Sequence, residues 1–411
     1  MREKSLEYHI GGKLGTYTTK SMQRFEDLSL AYSPGVAHPC IEIAKDPQLA
    51  YRFTNKANTV AVISDGSAVL GLGDIGPLAS KPVMEGKCCL FLKFAGVNAL
   101  DIELDVHDTG SIISAIRAIA PSFGGINLED IAAPKCFVIE AALQDLGIPV
   151  MHDDQHGTAI ISSAGIINAA QIVGKKLANL KVVVNGAGAA GLASAAMYKR
   201  LGIEDITLVD SRGVINTDRT DLNDYKKPFA TSTKNKSLAE ALKGADVFLG
   251  LSKPGVLDAD MLKSMAASPV VFALANPIPE MMPDEAKRVR ADVIVGTGRS
   301  DFDNQINNVL GFPYIFRGAL DVRASKITEH MKLAAAQALA SLAQMGADDY
   351  LKEIYKGQEL EFGPNMVVPK PFDRRAKAYV STAIARSAIE DGVAKNTEIN
   401  LDSYLKSLLD N

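Results

Sequence analysis

Several features that would place this chain outside the soluble enzymes are missing from it. No stretch approaches the ~18 uninterrupted apolar residues of a membrane span, so insertion as a transmembrane helix is not expected. There is no basic excess either. Lys and Arg number 44 against 48 Asp and Glu, and the net charge of -4 argues against a nucleic-acid partner, whose phosphates call for clustered cations. A small anionic substrate remains open, because local charge matters more than the sum. Cysteine is scarce: Cys40, Cys88, Cys89 and Cys136 form no C-x-x-C pair, so reduced packing residues are expected rather than zinc ligands or disulfides. The N-terminal MREKSLEYHIGGKLGTY shows neither an apolar leader core nor an Arg- and Ser-rich transit character, which makes a cytoplasmic location the default expectation. Internal repeats and low-complexity tracts are absent, so neither a solenoid nor a disordered arm is indicated.

What is present is an ordinary globular composition, 47% hydrophobic and 22% charged, over 411 residues. That length exceeds the ~250–300 residues at which single cores stop growing, so two domains flanking a cleft are expected. Up to about residue 155 the apolar runs Thr59–Ile63, Cys88–Phe94 and Ile148–Met151, punctuated by Gly-rich turns, read as a mixed α/β unit. After Asp130 the spacing turns helical: Pro134 suits a first turn, Val138, Ala142 and Leu146 recur every four residues, and Gly147 follows as a stop. From Leu180, KVVVNG, DITLVD, ADVFLG, PVVFALANP and DVIVGTG alternate with helical segments, the pattern of a doubly wound parallel sheet. An Ala- and Leu-rich helical tail from about Ile327 breaks at FGPNMVVPKPFD and resumes as a final helix near Ala376–Ala394. The fold class is therefore α/β, with an N-terminal mixed domain over residues 1–157 and a Rossmann-like dinucleotide domain plus helical tail over 158–411.

Two acidic doublets carry the strongest chemical signal, Glu129-Asp130 in GGINLEDIAAPKC and Asp153-Asp154 in IPVMHDDQHGTA. Both follow strand-like runs, so both would face the carboxyl-edge crevice where open α/β sheets bind ligands. Clustered carboxylates repel unless a cation offsets them, and oxygen-only ligands suit Mg²⁺ or Mn²⁺. Taken alone, such acids are more often helix N-terminal charges that satisfy the dipole. His152 and His156 in the same motif suggest a zinc pair, yet a helical H-x-x-x-H would have to include the strand end, so they are expected as polar neighbours of the site.

Gly186, Gly188 and Gly191, with Ala187, Ala189 and Ala190 between them, form G-x-G-x-x-G after the strand Lys181–Val184. The glycines permit the tight turn, the approach of a pyrophosphate and close helix packing. Asp210, ending the next strand, stands where an acid binds adenosine ribose hydroxyls, which favours NAD; Arg212 two residues on could meet the extra phosphate of NADP. Lys87, entering the apolar run of KPVMEGKCCLFLKF, fits a desolvated base with lowered pKa, although pattern alone favours a lysine snorkelling at a strand end. Tyr32 in LSLAYSPGVA, Asn276 in ALANP and Asn307-Asn308 in NQINNVLG are, on pattern, turn residues.

Together these motifs resemble a known family. LAYSPGVA, SDGSAVLGLGDIGP, KPVMEGK, FGGINLEDI, HDDQHGTA, NGAGAAG, ALANP, GTGRSDFDNQINNVLGFPYIFRGAL and VPKPFD occur in the order found in bacterial malic enzymes, across nearly the whole chain. The chain stops where longer forms continue into a phosphotransacetylase-like domain, so it resembles the short form. The resemblance implies Tyr32 as general acid, Lys87 as general base, and Glu129, Asp130 and Asp154 as metal ligands. Asp153 becomes a neighbouring acid that positions Lys87, while Asn276 and Asn308, with Lys87, contact the substrate. One departure stands out: larger members carry an Arg just before the LGLGD-like segment to clamp a substrate carboxylate, and here the sequence reads SAVLGLGD.

The implied reaction is oxidative decarboxylation of (S)-malate to pyruvate and CO₂ with NAD or NADP and Mg²⁺ or Mn²⁺, in a homodimer or dimer-based assembly whose N-terminal residues could cross to the partner. Two other readings stay open at this stage. A malolactic-type enzyme would keep its NAD and release lactate, and a non-catalytic dinucleotide or metabolite sensor would show no metal-dependent turnover.

Overall fold

The computed structural model describes residues 2–69 and 71–410. Two parallel sheets organise it. The first has the order β2-β1-β3-β4, built from β1 (Thr59–Ser64), β2 (Asn98–Glu103), β3 (Gly125–Leu128) and β4 (Val150–His152). β1 and β3 are buried along their whole length, which is why TVAVIS and GINL read as continuous apolar runs rather than alternating ones.

The second sheet has the order β10-β9-β8-β5-β6-β7, formed by β5 (Lys181–Asn185), β6 (Asp205–Asp210), β7 (Gly213–Val214), β8 (Val247–Gly250), β9 (Val270–Ala273) and β10 (Ile294–Thr297). All its pairings are parallel except β6 with the two-residue β7. Strand order reverses between β5 and β8, the switch point at which a doubly wound sheet opens a ligand crevice. This is the Rossmann-like sheet expected from the alternating runs after Leu180.

Several local expectations require correction. The apolar run Cys88–Phe94 is no strand: it lies inside the helix Pro77–Ala95. Its buried residues Met84, Lys87, Cys88, Phe91 and Ala95 recur at helical spacing, a period hidden by the equally apolar residues between them. The strand that follows is β2, in the less apolar NALDIE. Pro134 caps the helix Lys135–Ala142 rather than entering its first turn, and that helix buries Cys136 and Ile139 while Val138 is 45% exposed. Leu146 lies beyond its end. The C-terminal tail forms the helices Glu329–Gln344 and Arg375–Glu390, with a further amphipathic helix, Leu401–Asp410, that the sequence pattern did not reveal.

One continuous apolar core joins both sheets. Val60 and Val62 of β1, Phe91, Ile160, Val184 of β5, Phe272 of β9, Phe316 and Ile384 all belong to it. The 20-residue helix Asp153–Ile172 runs through this core, and the division expected between residues 157 and 158 falls inside it. Among the described residues, no helix is long and apolar enough to cross a membrane.

Candidate active site

Both acidic doublets sit at the carboxyl edge of the first sheet because each directly follows a strand. Glu129 and Asp130 leave β3, and Glu129 is tied back by its N–H to the Ile63 carbonyl at 2.9 Å. Asp153 and Asp154 open the helix that follows β4. The Asp130 N–H donates to Asp154 Oδ2 at 2.7 Å, so the doublets are locked to each other. Asp130 adopts φ 52°, a left-handed conformation that costs a non-glycine residue of order 1–3 kcal/mol and is typical of functional sites. Oxygen atoms of Glu129, Asp130 and Asp154 lie within 4.8 Å of one another, and neither histidine joins this cluster.

Lys87 projects from the helix Pro77–Ala95 into the same crevice, only 6% exposed. Its Nζ donates to Glu129 Oε1 at 2.8 Å and to Asp153 Oδ2, and lies 4.1 Å from the centre of the Phe312 ring. The lowered pKa expected from burial is not what results. Burial pushes the ammonium down, but Asp153, Glu129 and Asp154 outweigh it and hold Lys87 above its ordinary value. Burial pushes the carboxyl groups of Glu129, Asp153 and Asp154 up, with Lys87 offsetting only part of the shift. The Lys87 ammonium thus faces the carboxyl groups of Glu129, Asp153 and Asp154, an imbalance that a bound divalent cation corrects. The donor set fits a hard ion: oxygen ligands only, converging, and buried at Glu129 and Asp130.

Asn308 lies beside Asp153, since a methyl added at Gly157 would stand 2.1 Å from Asp153 Oδ1 and 2.8 Å from Asn308 Cβ. Asn276 stands three residues past the end of β9. Its carbonyl oxygen is 2.4 Å from the position a Gly71 Cβ would take, which brings ALANP against Gly71. Tyr32 is not brought to Lys87 within the chain. It caps the helix Phe25–Ala31 and is 70% exposed. Among the described residues, no hydrogen bond or ion pair joins residues 15–45 to any residue after 49.

Three contributors went unnoticed in the sequence. Asn127, fully buried in β3, donates to Glu129 Oε2 at 2.9 Å; an Asn inside an apolar run was the available signal. Phe312 offers no such signal. Glu140 accepts from the His152 N–H at 3.0 Å, from Gln155 Nε2 at 3.2 Å and from His156 Nε2 at 3.0 Å, clamping the turn that presents Asp153 and Asp154. His152 is wholly buried, and burial depresses its pKa to about 4, so it stays neutral beside Asp154 at 3.6 Å.

The second crevice lies at the switch point of the larger sheet. Gly186 adopts φ 123°, and a Cβ at Gly191 would stand 1.8 Å from the Gly186 carbonyl oxygen, so both positions exclude side chains. Gly188 caps the helix Ala189–Arg200 without a side-chain partner, and a Cβ there would meet nothing within 4 Å. Free helix N–H groups facing open space suit a pyrophosphate. Asp210 ends β6 but is already engaged: Arg219 donates to its carboxylate at 2.7 and 3.1 Å, Lys226 at 2.7 Å, and the Arg212 N–H at 2.9 Å. Burial raises the Asp210 pKa, but these partners outweigh it and bring it to about 2. The Arg212 guanidinium turns to Asp221 at 2.9 Å.

Family models match both halves, "Malic enzyme, N-terminal domain" over residues 11–144 and "Malic enzyme, NAD binding domain" over 155–355. The chain belongs to the malic enzyme family. Among curated malic enzymes, the NADP-dependent protein of Halomonas elongata is 52% identical over 400 residues, covering 96% of this chain and 95% of its own. The NADP-dependent malic enzyme of Rhizobium meliloti is 52% identical over 413 residues, covering 99% of this chain and 54% of its own. This chain therefore spans about half the length of several malic enzymes it matches. A malic enzyme crystal structure from Pyrococcus horikoshii superposes with a TM-score of 0.90 at 42% identity, covering 100% of this chain and 95% of that one.

Proposed function

We propose that this malic enzyme oxidatively decarboxylates (S)-malate to pyruvate and CO₂ while reducing NADP in preference to NAD, with Mg²⁺ or Mn²⁺ required. The observation that carries the reading is the convergence of Glu129, Asp130 and Asp154 around a buried lysine. A divalent ion on those carboxylates and a dinucleotide on the Gly186–Gly191 loop would supply Lewis acidity and hydride acceptance. The division of labour assigns substrate and metal to residues 1–157 and the nucleotide to 158–411, with Asn276 and Asn308 reaching back to the substrate.

Lys87 would take the C2 hydroxyl proton. It must first shed its own proton, and committing Glu129 to the ligand set leaves Asp153 as its remaining carboxylate partner. Asp153 then orients Nζ, and the Phe312 ring closes the site on one side against water. Asn276 and Asn308 would hold substrate carboxylates by neutral donors, consistent with the missing clamp Arg. Tyr32 would return a proton to C3 after CO₂ departs. Its exposure supports a homodimer in which the N-terminal segment delivers Tyr32 to a partner's Lys87. Phe25, Leu30 and Tyr32 expose 83, 75 and 70% of their surfaces in that segment, an apolar patch of the kind interfaces cover.

The NADP preference rests on Asp210, whose charge is neutralised by Arg219 and Lys226, and on the exposed Arg212, which would exchange its Asp221 partner for the extra phosphate. Initial rates with (S)-malate, Mn²⁺ and either dinucleotide, following reduced cofactor and pyruvate together, test the whole reading. Equal amounts of both products, faster with NADP, are expected. Malate oxidation without pyruvate, or lactate without reduced cofactor, would exclude it.

A further inference from the structure

A cavity of about 950 Å³ is lined by none of the metal, substrate or nucleotide residues assigned above. It opens between the segment around Tyr51 and Arg52, the C-terminal end of the helix Phe312–Asp321, Arg323, and the last two helices, from which Lys377 and Tyr404 reach it. Its walls carry Arg52, Arg317, Arg323 and Lys377 against one carboxylate, Asp321.

That carboxylate is spent. Arg317 grips it with two nitrogens, and Tyr404 donates to it at 2.5 Å. Among the described residues, Arg52, Arg323 and Lys377 have no carboxylate within 4.0 Å. Arg323 and Lys377 are half-buried, and crowding by burial and by Arg317 lowers the Lys377 pKa. Collecting like charges on a half-buried wall is unfavourable unless something of opposite sign offsets them. Arg323 also holds φ 48°, a left-handed conformation for which a non-glycine residue incurs strain of the kind found at ligand clamps. Aromatic surface lies alongside, with the Tyr51 ring centre 5.7 Å from the Arg323 guanidinium.

We propose that this cavity binds a phosphate-bearing small polyanion, held by Arg323, Lys377 and Arg52. Planar guanidinium groups match phosphate oxygens two at a time, and the volume falls in the range of small-molecule pockets, far above the needs of an inorganic ion. The helix Phe312–Asp321 offers a route to the active site: Phe312 at its start touches Lys87, and Arg317 and Asp321 near its end line the cavity.

Calorimetric titration of the full chain with inorganic pyrophosphate tests the site, using two variants that act independently. Arg323→Gly removes the guanidinium while relieving the positive φ, and Lys377→Gln removes the second charge. A third variant, Gly188→Asp, blocks the dinucleotide loop, so that pyrophosphate bound there is told apart. Each cavity variant is expected to weaken pyrophosphate binding at least tenfold while leaving the thermal midpoint near that of the parent, and Gly188→Asp to leave one binding event intact. Binding lost only in Gly188→Asp, binding unchanged in both cavity variants, or no binding to the parent chain would overturn the proposal. Citrate binding as tightly as pyrophosphate would overturn the phosphate assignment. None of these readouts depends on malate turnover.

Discussion

At Lys87 burial and charge pull in opposite directions, and charge wins because Asp153 and Glu129 both lie within hydrogen-bonding distance. Lys87→Ala is expected to lower the rate of malate oxidation by ~10²–10⁴-fold, the usual worth of a general base, while malate still binds. Stopped-flow measurement of reduced-nucleotide formation checks it, and a near-parental rate would move the base elsewhere. Tyr32→Phe should spare oxidation more than product release, so oxaloacetate should accumulate relative to pyruvate; an unchanged ratio would remove Tyr32 from proton return. Residue types were legible at this scale. The doublets, Lys87 and the glycine loop announce themselves as charge or special backbone in apolar surroundings. The pKa of Lys87 was not legible, because it depends on Glu129 and Asp153, which are distant in sequence. Nor was the engagement of Asp210 by Arg219 and Lys226, which arises from a loop folding back on the end of β6.

Elements explain why the doublets meet. Two parallel neighbours, β3 and β4, end side by side, and Glu140 fixes the start of the helix that follows. Burial raises the Glu140 pKa, but His156 and Lys332 outweigh it and bring it to about 2. Because the folded value lies below the unfolded one, this group stabilises the fold above about pH 4.5, and the contribution is lost as pH falls towards 2. Replacing Glu140 by Ala strands buried partners and should destabilise by about 3–5 kcal/mol, whereas Glu140→Gln should flatten the loss of stability between pH 5 and pH 3. Urea unfolding at the two pH values checks both, and equal acid sensitivity in parent and Gln variant would contradict the assignment. Element identity was read correctly in the Rossmann-like half, where short Val-rich strands alternate with helices. It was misread at CCLFLKF, because an apolar run of that length fits a strand or a buried helix equally, and only the partners Phe312 and Phe316 decide.

For the whole molecule, one core spans both sheets and the helix Asp153–Ile172 passes through it, so the acidic crevice and the nucleotide crevice are held by a shared frame. Among the described residues, 15–45 make no hydrogen bond or ion pair to that frame, whereas Lys13 and Leu14 just before them do reach it. If Tyr32 serves a partner's Lys87, mixing the Lys87→Ala and Tyr32→Phe proteins under conditions that exchange subunits should raise pyruvate formation above that of either alone; no gain despite exchange would place both residues in one chain. The central claim is that Glu129, Asp130 and Asp154 form the metal site on which malate decarboxylation depends. Its most direct test is the Mn²⁺ dependence of pyruvate formation in Asp154→Asn beside the parent chain. The account predicts a Mn²⁺ requirement raised at least tenfold, and an unaltered requirement would contradict it.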